Sequence, residues 1–159
     1  MSLLLGKYRT YNVLLHDQPC TIPLLASDIA HILKHLSIPT PVHSVIGVSQ
    51  GGAIALAFGA RFPDLTRSIV SCDTSARTPS GNKEAWASRI DLAAKGGVDE
   101  SGVGASMREL GSATLSRSWR RIGTPKNKNE TILEDMIMKT TLDGFKLGAG
   151  ALMEYDLID

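Results

Sequence analysis

The stretch "SVIGVSQGGAIALAFGARFPD", residues 44–64, decides the reading of this 159-residue chain. Its first part closes a short, mostly apolar run, "VHSVIGVS" (42–49). Its second part, "QGGAIALAFGARF" (50–62), is a helical pattern rich in alanine and stops at Pro63-Asp64. At the junction, Gly47-Val48-Ser49-Gln50-Gly51 matches G-x-S-x-G, and Gly52 adds a third glycine. Between a strand and a helix this pattern predicts a sharp turn that presents a serine nucleophile. Side chains two residues to either side of that serine are expected to clash, which calls for glycine at 47 and 51. The turn also sets Ser49 at a helix N-terminus, whose free N–H groups favour the charge that develops on a substrate oxygen. The backbone N–H of Gln50 is the expected oxyanion donor.

The motif alone arises often by chance, so its surroundings matter. A second apolar run, "LTRSIVSC" (65–72), follows the helix after a short link. Strand, helix and strand so joined predict a βαβ crossover in a parallel sheet. Strand 42–49 is expected to have both faces covered, and Cys72 reads as a small buried hydrophobe. Upstream, Leu24, Leu25, Ile29, Ile32, Leu33 and Leu36 recur at three- and four-residue steps, the spacing of an amphipathic helix. Thr21 is its expected N-cap, Pro23 suits its first turn, and prolines 39 and 41 end it. "KYRTYNVLL" (7–15) reads as a further strand. Beyond Asp73 and the polar loop "DTSARTPSGNK", four helical patterns follow, at 83–95, 98–111, 129–141 and 143–156. The fold class is therefore α/β: a partial core with parallel strands over residues 1–75, then an all-helical region over 76–159.

Composition narrows the function. Hydrophobic residues make up 43% and charged residues 21%, which fits a globular chain rather than a disordered one. A net charge of +1 provides no field for nucleic acid, and Arg117, Arg120, Arg121, Lys126 and Lys128 read as a solvated face and loop. Cys20 and Cys72 form neither a disulfide framework nor a zinc spacing, and nothing calls for a metal or cofactor. No segment approaches the roughly 18 apolar residues of a membrane span, so a cytoplasmic protein is expected by elimination.

On "LASDIAHILKHLSI", on "GVSQGGAIALAFGARFPDLTRSIVSCDTSAR", and on Trp86, Arg89, Ile90, Gly96 and Gly97, the chain resembles the α/β-hydrolase superfamily. Within it the chain is similar to 3-oxoadipate enol-lactonases over roughly residues 17–156. The resemblance implies hydrolysis of a carboxylic ester or lactone through an acyl-serine on Ser49, with the region after Asp73 serving as a lid over the serine. It also implies strands, an acid and a catalytic histidine that are not found here, so the chain reads as truncated at both ends. Asp73, after strand 65–72, stands where some α/β hydrolases carry their acid, and a strand-end loop cap is the competing reading. All four histidines, His16, His31, His35 and His43, precede Ser49. His43 is too far along the strand to serve, the His31–His35 pair is expected to be partly exposed, and His16 remains open. A small ester or lactone is the implied partner, together with self-association through open sheet edges. The alternatives are a non-catalytic remnant that binds or pairs, and an esterase, thioesterase or lyase of secondary metabolism.

Overall fold

A computed structural model of the chain describes residues 19–118 and 135–158. The strand expected at 7–15, His16, the loop 120–129 and the first part of the helix expected at 129–141 lie outside these residues. The chain divides into two compact units, one of residues 17–83 with 148–159, the other containing residues 84–147.

In the first unit, helix α1 (Ile22–His35) starts as its sequence predicts. The Thr21 hydroxyl accepts from the N–H of Leu24 at 3.2 Å, and proline occupies the first turn. Lys34 and His35 close the last turn, where positive charge meets the helix dipole favourably. The residues that α1 buries completely are Ile22 and Ala26, one turn apart, whereas the leucines and isoleucines of the expected stripe are only half-buried and Leu36 is exposed. Burial pushes the Asp28 carboxyl up, against the opposing pull of His31, and burial with the Asp28 charge pushes the Cys20 thiol up.

Strand β1 (Val45–Val48), helix α2 (Gln50–Arg61) and strand β2 (Ile69–Cys72) form the expected crossover. The strands pair in parallel, Val45 with Ile69 through Val48 with Cys72, and an outlying bridge joins Val42 to Thr66. Both strands are shorter than the apolar runs that predict them, and at Leu65 the run expected for β2 is still part of a 3₁₀-helix, Pro63–Leu65. Helix α2 packs against α1, β1 and β2 together, which explains why Ala53, Ala55, Ala57 and Phe58 are all buried. At Gly59 an added Cβ would stand 1.9 Å from Ile69 Cδ1, so the Ile69 side chain occupies the space that the glycine leaves open.

That packing covers one face of the sheet. The other carries Ile46, Val48 and Val70, exposed by 62%, 65% and 44%, with Cys72 exposed beside them. The expectations of a strand covered on both faces and of a buried Cys72 are thus corrected. An apolar sequence reports that a strand is suited to burial on both sides; the elements that cover it must come from elsewhere, and among the described residues one side has none.

The last helix, α5 (Leu142–Met153), ends in this unit. Hydrogen bonds to the Leu152 carbonyl from Asn82 Nδ2 (2.9 Å) and Thr78 Oγ1 (3.3 Å) hold its end. Residues 155–157 then run antiparallel to 76–78, through Thr78 N–H to Tyr155 O and Leu157 N–H to Ala76 O, with an Arg77–Asp156 ion pair across the bridge.

In the second unit, helices α3 (Asn82–Ala94) and α4 (Met107–Ser118) and the start of α5 meet at Ala93, Met107, Leu110 and Leu142. Leu92, Val103, Ile137 and Phe145 pack around that core. The helix expected at 98–111 starts only at Met107. Before it, the Asp99 carboxylate accepts from the N–H groups of Ser101 and Val103, and Gly102 takes a φ of +77°, so the segment closes as a loop bridged at Val98–Gly104. The Val103 N–H, above all, holds Asp99 below the usual carboxylate range.

Candidate active site

Ser49 follows β1 directly and precedes the first residue of α2. It is exposed and adopts φ 55°, ψ −121°, a conformation that L-residues avoid. Three main-chain hydrogen bonds hold it there. Its N–H donates to the Cys72 carbonyl at 2.8 Å, and its carbonyl accepts from Gly52 N–H at 2.9 Å and Ala53 N–H at 3.1 Å. The serine side chain makes no capping hydrogen bond to the helix. The N–H groups of Gln50 and Gly51, ahead of those donors, sit at the helix N-terminus, where no intrahelical carbonyl meets them.

The three glycines of the motif differ in what they do. A Cβ on Gly47 would fall 1.9 Å from the Gly51 carbonyl oxygen, so the turn closes only over a bare Cα. A Cβ on Gly52 would meet Thr74 Cγ2 at 2.7 Å and the Cys72 carbonyl at 2.9 Å. Around Gly51 there is nothing within 4 Å. The clash expected at 51 is therefore found at 52 instead, because the helix turns position 52, and not 51, toward the end of β2.

Asp73 stands one residue beyond the last pair of the ladder on β2, as Ser49 does on β1. It is exposed and also has positive φ, 51°. Two strained, exposed, non-glycine residues thus stand side by side at the carboxyl ends of neighbouring parallel strands, the position at which open α/β sheets bind ligands. Next to Asp73, Thr74 Oγ1 lies 3.5 Å from the Tyr155 hydroxyl, which donates to the Ser75 carbonyl at 3.0 Å. The side chain of Gln50 donates from Nε2 to the Gly148 carbonyl at 2.7 Å. Sequence reading misses Thr74, Gly148 and Tyr155, since nothing in their local pattern signals a neighbour 80 to 100 residues away.

The remaining candidates stay apart from this arrangement. His31 and His35, both exposed, stack on α1 with ring centroids 6.4 Å apart, and His43 lies at the end of β1 opposite Ser49. Among the described residues no group of three His, Cys, Asp or Glu side chains is placed to hold a metal ion, and no helix is long and apolar enough to cross a membrane.

Comparison with known proteins agrees with the geometry. The family model of the alpha/beta hydrolase fold matches residues 18–131, well over half of the chain. No curated protein matches it. Among solved structures, one reported with the carboxylesterases of Nitrososphaera gargenis superposes with a TM-score of 0.64 at 22% identity, covering 84% of this chain and 46% of its own. A thermophilic esterase from Thermogutta terrifontis gives 0.64 at 22%, covering 88% and 48%. An acetylester hydrolase from Corynebacterium glutamicum gives 0.65 at 15%, covering 88% and 46%. The chain thus spans about half the length of the solved structures it matches, and at these identities the likeness is one of fold. With a parallel strand–helix–strand unit, a strained serine in its turn and a family match across that unit, the chain belongs to the alpha/beta hydrolase fold family.

Proposed function

We propose that the chain is a serine hydrolase acting on a carboxylic ester or lactone. The observation that carries this reading is the exposed Ser49, held by main-chain bonds in a conformation that costs about 1–3 kcal/mol and uses none of its side chain for structure. In the proposed reaction Ser49 Oγ attacks the acyl carbon and its proton leaves to a base. The carbonyl oxygen, now negative, is met by the Gln50 N–H at the positive end of α2. The alcohol or ring oxygen departs with a proton, and water releases the acid from the acyl-serine. A saturated lactone yields a single hydroxy acid, an enol lactone a keto acid once the released enol tautomerises, and an open ester an acid and an alcohol. Asp73, beside Ser49 at the strand ends, is the candidate acid. The esterases among the solved structures favour a simple ester, and the resemblance to enol-lactonases favours a lactone.

A second reading, a module that pairs with another chain without catalysis, is favoured by the bare apolar face of the sheet and by the placement of His31, His35 and His43 away from the end of β1 that bears Ser49. A fluorophosphonate probe separates the two. Labelling that Ser49→Ala abolishes, together with hydrolysis of p-nitrophenyl acetate or of an enol lactone, supports the hydrolase. A folded protein that neither labels nor hydrolyses supports the module.

A further inference from the structure

Gln50 has a side chain that the proposed reaction does not use. From the first residue of α2 it reaches to an interior carbonyl of α5, across 98 positions of sequence, and makes a partly buried hydrogen bond of 2.7 Å. Carbonyls inside a helix already accept from the residue four positions on, so a second donor requires close approach. The approach is close: a Cβ built at Gly148 would stand at van der Waals distance, 3.5–3.6 Å, from both polar atoms of the Gln50 amide, so the amide packs directly on this stretch of α5. The second half of α5 is fixed at its end to residues 78–82, and the Gln50 amide joins it to the turn at Ser49.

We infer that the Gln50 side chain is a positioning group, which locks α5 to the serine turn and thereby fixes the direction of its own main-chain N–H. The inference rests on the reading of Ser49 as nucleophile. Gln50 is the first helical residue, where backbone bonds are fewest and fraying is easiest. Anchoring its side chain at the far end restrains the torsions that aim its N–H. An oxyanion donor is useful only when aimed before the charge develops.

Two variants test this. Gln50→Met keeps the length and removes the donor. Gln50→Glu turns the donor into an acceptor facing a carbonyl, and regains an O–H donor when protonated. Hydrogen exchange, corrected for intrinsic rates, reads the anchoring without any need for activity. In Gln50→Met the amides of residues 148–153 are expected to lose about 2- to 12-fold in protection, the worth of one hydrogen bond. In Gln50→Glu the same loss at neutral pH is expected to reverse as pH falls through the carboxylate range. The internal comparison in Gln50→Glu remains informative even where Gln50→Met folds poorly. Fluorophosphonate labelling of Ser49 reads the positioning: the maximal rate is expected to fall about 10-fold in both variants, with the half-saturating probe concentration unchanged.

Unchanged protection in Gln50→Met, or no recovery with pH in Gln50→Glu, overturns the anchoring. Lost protection with wild-type labelling rates shows a helix anchor alone and overturns the positioning role. A wild-type protein that does not label overturns the hydrolase reading and the positioning of its N–H with it, while hydrogen exchange still decides whether the bond anchors α5.

Discussion

Gly47→Ala is expected to be the most damaging small change in the serine turn. The new Cβ would stand 1.9 Å from the carbonyl oxygen of Gly51, 2.2 Å from its carbon and 2.8 Å from Gly52 N. A relaxed carbon–oxygen contact is about 3.3 Å, so the overlap is about 1.4 Å. Main-chain atoms have no rotamer to escape into, and these are tied to β2 through the Ser49–Cys72 bond. Overpacking against movable side chains costs about 1–3 kcal/mol, so a clash with fixed backbone should cost about 3 kcal/mol or more. With a urea dependence of roughly 1–3 kcal/mol per molar, the unfolding midpoint should fall by about 1 M or more. Gly52→Ala meets a movable threonine methyl as well as a carbonyl and should cost about 1–3 kcal/mol. Gly51→Ala meets nothing and should not destabilise, since helix propensity favours alanine there by up to about 1 kcal/mol. Urea unfolding followed by circular dichroism gives all three values. Equal losses at 47 and 51, or an unmoved midpoint for Gly47→Ala, would refute the steric account.

Ser49→Gly should be more stable than Ser49→Ala by about 1 kcal/mol in the same assay, because only glycine relaxes at φ 55°, and neither variant should react with a fluorophosphonate. Phe58→Ala, at a fully buried site where α2 meets its neighbours, should cost about 3–5 kcal/mol by urea titration. Ser44 Oγ is buried and finds no partner among the described residues, so Ser44→Ala should stabilise by about 1 kcal/mol, read as a raised midpoint. Asp28 holds its proton more tightly folded than unfolded; its contribution is therefore best below the ordinary carboxylate value and declines as pH rises through the raised one. Stability measured from acid to neutral pH should lose that decline in Asp28→Asn.

What the sequence shows and what it hides divides along physical lines. Thr21, Pro23 and the G-x-S-x-G turn are legible because caps and sharp turns are local: a few adjacent residues suffice to specify them. The parallel pairing of β1 with β2 is legible because few connections permit any other arrangement. The burial of Cys72 is misjudged because hydrophobicity records suitability for burial, and exposure depends on which elements arrive. The start of α4 is misplaced because Asp99 offers its loop side-chain acceptors that compete with the helix, and periodicity does not register them. At the site, the residues within one turn of Ser49 are found from the motif. Asp73 is found by counting along β2, while Tyr155 and Gly148 enter only through the path of the chain.

The serine turn is built by main chain and glycine alone, since the N–H and carbonyl of residue 49 do the holding and Gly47 and Gly52 make the room. Its side chain is a tenant rather than a beam. A cysteine or an aspartate at 49 would inherit the same exposed place at the head of α2, and aspartate tolerates positive φ better than most residues. On the proposed reading of Ser49, the reacting atom could thus change from oxygen to sulfur, or from hydroxyl to carboxylate, without redrawing the fold around it, and one codon would alter the chemistry at this point while the architecture stays as it is.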